Sequence, residues 1–226
     1  MFANINITSL ILSLPVILLA LSVHEASHGF VAYKLGDPTA RNLGRLTLNP
    51  IKHINIWGFL CMLFFRFGWA KSVPVDTRYF KKPRRDMALT ALAGPATNLI
   101  LALIGAFIYS LSMYLLGGLA IEYKSFFYWV CYAYVSILIN FVWLNIALAI
   151  FNLIPLPPLD GSRIFLVWLP DRLYFKVMRH EREIAMGFMA LLILDSYVLD
   201  GILTYGLSFV VELIFDGMMS LFSLIF

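Results

Sequence analysis

Long apolar runs constrain the fold of this chain more than any other feature of its sequence. Three of them, at residues 7–33, 87–117 and 126–152, exceed the roughly 20 residues that a helix needs to cross a bilayer. A shorter run covers residues 184–199, and residues 201–226 form an apolar tail that either crosses the membrane or lies at its interface. We therefore predict an all-α polytopic membrane protein with four transmembrane helices and an apolar C-terminal segment, in a single domain over residues 1–226.

The composition and the distribution of charge support a membrane protein and indicate its orientation. The chain is 61% hydrophobic and 13% charged, which leaves no sequence for a large water-soluble domain. All 17 lysines and arginines except Lys124 lie either between the first two spans or after the third. By the positive-inside rule this side is cytoplasmic and the N-terminus is external, which predicts a multi-pass protein of the cell membrane. The net charge of +4 is therefore a topology signal, and we expect no nucleic-acid partner.

The segment between the first two spans contains an apolar stretch, Ile54–Trp69, that is too short for a crossing helix. We expect a short re-entrant hairpin or strand region there, which could hold an extended substrate by β-augmentation. Alternatively, its aromatic residues anchor it at the membrane interface. His53, immediately before it, is a loop residue, an extra metal ligand or a gate.

The first span ends in His24-Glu25-Ala26-Ser27-His28, which places three ionisable side chains inside a predicted membrane helix. Such residues are costly in a bilayer and mark candidate functional sites. His24 and His28 lie four residues apart, so both imidazoles project from one helix face and can bind one metal ion. Glu25 can then reach a metal-bound water. The alternative is that the two histidines pack between helices while Glu25 forms an ion pair.

A zinc site with two histidines needs a third protein ligand, and its fourth position is left for water. The third span is followed by Pro155, Pro157 and Pro158, which break the helix at membrane depth, and then by Asp160. Irregular backbone at that depth is viable only beside a cavity or buried protein. Asp160 reaches a depth similar to that of the histidines from the same face of the membrane. It is the best candidate for the third ligand, although it could instead cap a structural turn.

Three motifs together resemble the intramembrane site-2 protease family of zinc metalloproteases. They are HEASH in the first span, Gly94-Pro95-Ala96-Thr97-Asn98 in the second, and NLIPLPPLDG after the third. Residues 36–40 and 44–50 look like the compact prokaryotic branch, which lacks the PDZ and CBS domains of larger relatives. The resemblance covers about residues 20–170. It implies one catalytic Zn2+ ion bound by His24, His28 and Asp160, with Glu25 as the catalytic base.

Three asparagines are candidates for substrate binding. Asn152, eight residues before Asp160, resembles the family asparagine that binds the oxyanion or the substrate backbone. Asn98 and Asn145 are secondary candidates, because peptide hydrolysis needs a donor for the developing oxyanion. Polar side chains in membrane helices also join helices to one another, so packing is the alternative for both.

These residues predict a zinc-dependent endopeptidase that cuts transmembrane or signal-peptide-like segments of single-span membrane proteins near the cytoplasmic face, as in regulated intramembrane proteolysis. Zinc would acidify a water molecule and polarise the scissile carbonyl, and Glu25 would pass the water proton to the leaving amine. One alternative is a membrane zinc transporter or metal sensor without peptidase activity, which has little need for Glu25. A scaffold with a degenerate site is less favoured, because all four expected site residues are present. The sequence does not specify an oligomeric state.

Overall fold

The computed structural model describes residues 7–56, 58, 70–119, 122–197 and 202–225. Apart from one isolated antiparallel bridge, no strand occurs among these residues. Short 3₁₀ turns cover Pro50–Lys52, Thr77–Tyr79 and Leu166–Trp168. The α-helices of the described residues are α1 (Ile7–Lys34), α2 (Thr39–Asn42), α3 (Pro83–Gly117), α4 (Phe126–Asn152), α5 (Asp160–Phe165), α6 (Asp171–Arg179), α7 (Glu181–Tyr197) and α8 (Ile202–Ser223).

Four helices among the described residues are long and apolar enough to cross a membrane: Ser13–Lys34 of α1, all of α3 and α4, and Tyr205–Ser223 of α8. This confirms the predicted all-α polytopic membrane fold, and the chain is a multi-pass membrane protein. The fourth of these helices lies in the apolar tail, which the sequence allowed either to cross the membrane or to lie at its interface. The predicted span at residues 184–199 lies mainly in α7, which has 17 residues and begins with charged side chains.

The buried face of α3 is a stripe that repeats every fourth residue, as expected for one face of an α-helix. The N-terminal half of α3 faces α1 and α5, and its C-terminal half packs against α4 and α8. Pro83 lies in the first turn, where its missing N–H costs no hydrogen bond, and the helix continues through Pro95. The stripe consists of Asp86, Thr90, Gly94, Asn98, Ala102 and Ala106.

An apolar cluster joins α3, α4 and α8 at the end of α3 away from the first stripe residues. Small side chains on α3 let the helices approach closely, which is how helices associate when lipid is as apolar as protein. Gly105 is part of this contact, since a Cβ there would lie 2.8 Å from a ring carbon of Phe141. The fully buried members of the cluster are Ala102, Ala106, Val142, Ile146 and Val211.

Hydrogen bonds organise the described part of the segment between α1 and α3. The buried Asp37 carboxylate accepts from the backbone N–H groups of Thr39 and Asp76. Asp76 in turn caps the turn at Thr77–Tyr79, and hydrogen bonds from Arg78 lower the pKa of its carboxyl. These contacts fold the segment back onto the end of α1.

The predicted hairpin at Ile54–Trp69 lies largely outside the described residues, which here include only residues 54–56 and 58. Its flanks are paired: Ile54 forms an antiparallel bridge with Ala70, and Lys71 N–H donates to the His53 carbonyl over 2.7 Å. The chain therefore returns to its starting point after this stretch, as a hairpin requires. Its conformation in between stays a prediction.

Candidate metal centre and active site

Three side chains from distant parts of the sequence converge between α1, α3 and α5. His24 and His28 lie one turn apart on α1, and Asp160 is the first residue of α5. Asp160 Oδ2 lies 3.1 Å from His24 Nε2 and 3.2 Å from His28 Nε2. The three ligand atoms all lie within 4.8 Å of one another. The residues predicted as metal ligands are thus brought together.

The spacing of these atoms fits a zinc ion. Tetrahedral zinc with bonds of about 2.0–2.2 Å holds its ligand atoms about 3.3–3.6 Å apart. The two separations from Asp160 Oδ2, 3.1 and 3.2 Å, lie just below that range, so a small outward movement of the side chains admits the ion. Two imidazoles and one carboxylate also match the donor set of catalytic zinc sites, in which a fourth position remains open.

Helix α3 supplies a hydrogen-bond partner to Nδ1 of each imidazole and so orients both rings. His28 Nδ1 donates to the Thr90 backbone carbonyl over 2.8 Å, and His24 Nδ1 donates to Asn98 Oδ1 over 3.2 Å. A neutral imidazole with its proton on Nδ1 carries a lone pair on Nε2. Both lone pairs face the Asp160 carboxylate, so a cation between the three atoms satisfies all of them.

Gly94 provides the space for the two imidazole rings. A Cβ at this position would lie 2.5 Å from His24 Cε1 and 2.6 Å from His28 Nε2. Real Cβ atoms do not approach other atoms so closely, so any other residue would displace the rings. The sequence gives no sign of this role, because it depends on how closely α1 and α3 pack.

The loop after α4 delivers Asp160 to the histidines through close backbone packing. A Cβ on Gly161 would lie 2.3 Å from the Leu153 carbonyl oxygen, so only glycine fits there. Ser162 Oγ donates to the Leu159 carbonyl over 2.7 Å and closes the first turn of α5. Beyond α5, after the 3₁₀ turn at Leu166–Trp168, Arg84 of α3 donates to the carbonyl of Leu169 over 2.6 Å. Both ends of the segment that carries Asp160 are therefore held in place.

Glu25 is buried next to the ligands and is held by a backbone donor. Its Oε2 accepts a hydrogen bond from the Val73 N–H over 2.8 Å. Within the described part of the chain no donor binds its other oxygen. Sequence reasoning missed Val73, because any residue except proline can supply an N–H.

The remaining predicted site residues lie in different environments. Asn145 is fully buried, and its Nδ2 donates to the Phe141 carbonyl of the same helix. Asn152 is half-buried at the end of α4, and its Nδ2 donates to the Leu148 carbonyl. His53 is buried and donates from Nε2 to the Thr47 carbonyl over 2.8 Å. Among the three asparagines, Asn98 is the one with a described hydrogen bond to a candidate metal ligand.

Comparison with known proteins assigns the family. A family profile described as Peptidase family M50 matches residues 12–194, which include all of these candidate residues. The chain belongs to peptidase family M50. This confirms the resemblance to the site-2 proteases that the motifs predicted. An M50 peptidase is a zinc metalloendopeptidase of the site-2 protease type, and zinc is its cofactor.

Two relatives support the M50 assignment. The chain is 41% identical over 216 residues to "Putative zinc metalloprotease YwhC" of Bacillus subtilis (strain 168), covering 93% of this chain and 90% of that protein. It is 31% identical over 150 residues to "Putative zinc metalloprotease Rip2" of Mycolicibacterium smegmatis, covering 64% of this chain and 52% of that protein. No solved structure matches the chain.

Proposed function

We propose that this M50 peptidase cleaves transmembrane or signal-peptide-like segments of single-span membrane proteins near the cytoplasmic face, as in regulated intramembrane proteolysis. The observation that carries the proposal is the position of the candidate site within a membrane helix. His24 and His28 lie inside Ser13–Lys34, six to ten residues before its end. At the helical rise this is roughly 9–15 Å from the last residue. A site at that depth is suited to substrates that are themselves in the bilayer.

The contacts support a role for each residue of the site. His24, His28 and Asp160 hold the zinc ion, which when bound polarises the scissile carbonyl and acidifies a water molecule. Glu25 takes the proton of the attacking water with the carboxylate oxygen that Val73 leaves free, and then passes it to the nitrogen of the leaving amine. Asn98 orients His24 through its hydrogen bond to Nδ1.

Substrate binding falls to groups at the end of α4. A helical substrate must unwind before attack, because its carbonyls are occupied in its own hydrogen bonds. Asn152 lies eight residues before Asp160 and is half-buried, so its amide can turn from the Leu148 carbonyl to a substrate carbonyl. Asn145 is deeper in α4 and donates to the Phe141 carbonyl, which favours a role in packing.

The distribution of charge supports the orientation, and exposed aromatic residues indicate where the opposite membrane surface lies. Basic residues cluster near the end of α1 that carries the site, and the positive-inside rule assigns that end to the cytoplasm. At the opposite end of α4, Tyr123, Phe126 and Trp129 are exposed. Exposed tyrosine and tryptophan are typical of a membrane–water interface. We therefore propose a protein of the cell membrane with an external N-terminus and the lipid bilayer as its permanent surroundings.

The decisive experiment compares the zinc-loaded protein with Glu25→Gln in proteoliposomes that contain candidate single-span substrates. We expect the variant to keep its zinc and to cleave at least about 100-fold more slowly, as for loss of a general base. Glu212→Gln is the matched control, since Glu212 is an exposed glutamate of another membrane helix and should leave cleavage unchanged. Mass spectrometry of the products locates the cleaved bond.

Two results would contradict the proposal. Cleavage by Glu25→Gln at the rate of the unaltered chain would remove Glu25 from the reaction. Zinc transport across the bilayer without cleavage of any single-span protein would favour the transporter alternative.

A further inference from the structure

We infer that Arg45 is a positioning residue for Glu25 and acts through the peptide bond between Ser72 and Val73. The inference rests on the proposed role of Glu25 as the base, and it gives a function to a residue of segment 44–50. The sequence marked that segment only by its family resemblance.

One peptide group links the two side chains. Its N–H, from Val73, donates to Glu25 Oε2 over 2.8 Å. Its carbonyl oxygen, from Ser72, accepts from Nη2 of Arg45 over 3.3 Å, and the same nitrogen lies 3.4 Å from the Lys71 carbonyl oxygen. Arg45 and Glu25 therefore hold opposite ends of the same peptide dipole. A cation at the carbonyl end strengthens the N–H as a donor, because hydrogen bonds in series polarise one another.

The burial of Arg45 supports a role in binding the backbone carbonyls of Lys71 and Ser72. Only 9% of the residue is exposed, and in the described part of the chain no carboxylate forms an ion pair with it. A buried guanidinium without a counter-ion is costly unless it is well hydrogen-bonded. The described acceptors of its side chain are two backbone carbonyls beside the Glu25 donor.

The surrounding residues bring this peptide against α1. Gly29 lies one turn after Glu25 on the same helix face. A Cβ on Gly29 would lie 3.2 Å from Val73 Cγ1 and 3.3 Å from a methyl carbon of Leu46, so the glycine lets both contacting segments approach. Pro74 follows Val73 and restricts it to an extended conformation. Arg45 itself is fixed by its backbone N–H, which donates to the Ala40 carbonyl.

The consequence is a carboxylate with one bound oxygen and one oxygen available for proton transfer. When Arg45 is lost, the two histidine ligands keep their own partners on α3, but the Val73 N–H is no longer held toward Glu25. We therefore expect slower chemistry without loss of metal. A purely structural arginine would instead affect folding, zinc content and catalysis together.

The first test compares Arg45→Gln and Arg45→Lys with Arg41→Gln, a neighbouring exposed arginine, in the zinc-loaded protein. For Arg45→Gln we expect kcat to fall about 10- to 100-fold, the usual cost of losing an orienting partner, with KM and zinc content within about twofold of the unaltered chain. Arg45→Lys should restore part of kcat, because lysine keeps the charge and a donor. An unchanged kcat, or loss of zinc in parallel with kcat, would overturn the inference.

The second test asks whether Arg45 acts through Val73. Val73→Pro removes the N–H, whereas Val73→Ala keeps it and serves as the control. If Arg45 acts on Glu25 only through the Val73 N–H, the effects of the two substitutions are not additive. Arg45→Gln should then lower kcat by less than about twofold in the Val73→Pro background. Full additivity of the two losses would contradict the path. If Val73→Pro fails to fold, the Arg45 series and the exchange measurement below decide.

Amide hydrogen exchange tests the link without any substrate. In Arg45→Gln the Val73 amide should exchange at least about tenfold faster than in the unaltered chain, because its hydrogen bond opens more often. Unaltered exchange at Val73 would disprove the positioning role even where cleavage is observed. Conversely, if Arg45→Gln speeds exchange at Val73 but the unaltered protein cleaves no substrate, the link between Arg45 and Val73 is supported and the proposed peptidase function is contradicted.

Discussion

The two halves of α3 present one buried stripe with two different tasks. In the first half, Thr90, Gly94 and Asn98 face the histidines of α1: Thr90 and Asn98 each accept a hydrogen bond from an imidazole, and Gly94 leaves space for both rings. In the second half, Ala102 and Ala106 face α4 and α8 and contribute only small apolar surfaces. Burial is nearly complete in both halves. Depth of burial therefore does not separate functional from structural positions in this protein, whereas the chemistry of the contact does.

The comparison is sharpest at the two buried glycines of the helix, Gly94 and Gly105. Gly94→Ala places a methyl group within 2.6 Å of both imidazoles, so we expect a folded protein without zinc and without peptidase activity. Gly105→Ala meets a ring carbon of Phe141 at 2.8 Å and Cγ2 of Val142 at 2.9 Å, and neither residue belongs to the metal centre. Overpacking of this kind costs about 1–3 kcal/mol of stability.

Zinc content and helical circular dichroism of the purified variants distinguish the two halves. Gly105→Ala should bind one zinc ion as the unaltered chain does, although it unfolds at a lower temperature. Retention of zinc by Gly94→Ala would show that the imidazoles of His24 and His28 do not need the space left by the missing Cβ of Gly94.

The next largest effect is expected at Asn98. Asn98→Ala removes the acceptor of His24 Nδ1, and loss of such an outer partner lowers metal affinity about 10- to 100-fold. Asn145→Ala is the matched control, because Asn145 is equally buried but donates only within its own helix among the described contacts. Titration with zinc against a competing chelator measures both affinities. Equal affinities for the two variants would remove Asn98 from the metal centre.

Sequence reasoning could predict the parts of this arrangement that depend on local spacing. The four-residue separation of His24 and His28 fixes a shared helix face, and the prolines before Asp160 mark where α4 must end. The contacts of Gly94 and Val73 depend instead on the distance between packed segments and on a backbone N–H, neither of which leaves a residue pattern. The sequence also left open whether the apolar tail crosses the membrane, and α8 places a helix of sufficient length there.

A substitution on α4, where it packs against the second half of α3, should lower stability without affecting zinc binding. Ile146 of α4 is fully buried against Ala102 and Ala106, so Ile146→Ala leaves a cavity between the helices. We expect a loss of about 1–2 kcal/mol, which is below the roughly 2–5 kcal/mol of such changes in water-soluble proteins because lipid replaces water as the alternative environment. Denaturant unfolding in detergent measures the loss, and zinc affinity of the folded protein should be unchanged. A fall in zinc affinity would show that the two halves of the stripe are coupled.

The smallest effect is expected at Thr90, where the side chain and the backbone have separate tasks. Its backbone carbonyl accepts from His28, whereas its hydroxyl donates to the Asp86 carbonyl one turn earlier in α3. Thr90→Val keeps the carbonyl and the shape but removes the hydroxyl, so zinc affinity should stay within about twofold while stability falls by about 0.5–1.5 kcal/mol. The same chelator titration and unfolding measurements apply. A large loss of zinc would mean that the hydroxyl, by holding this turn of α3, sets the position of the carbonyl, and the site would then depend on the side chain as well as the backbone.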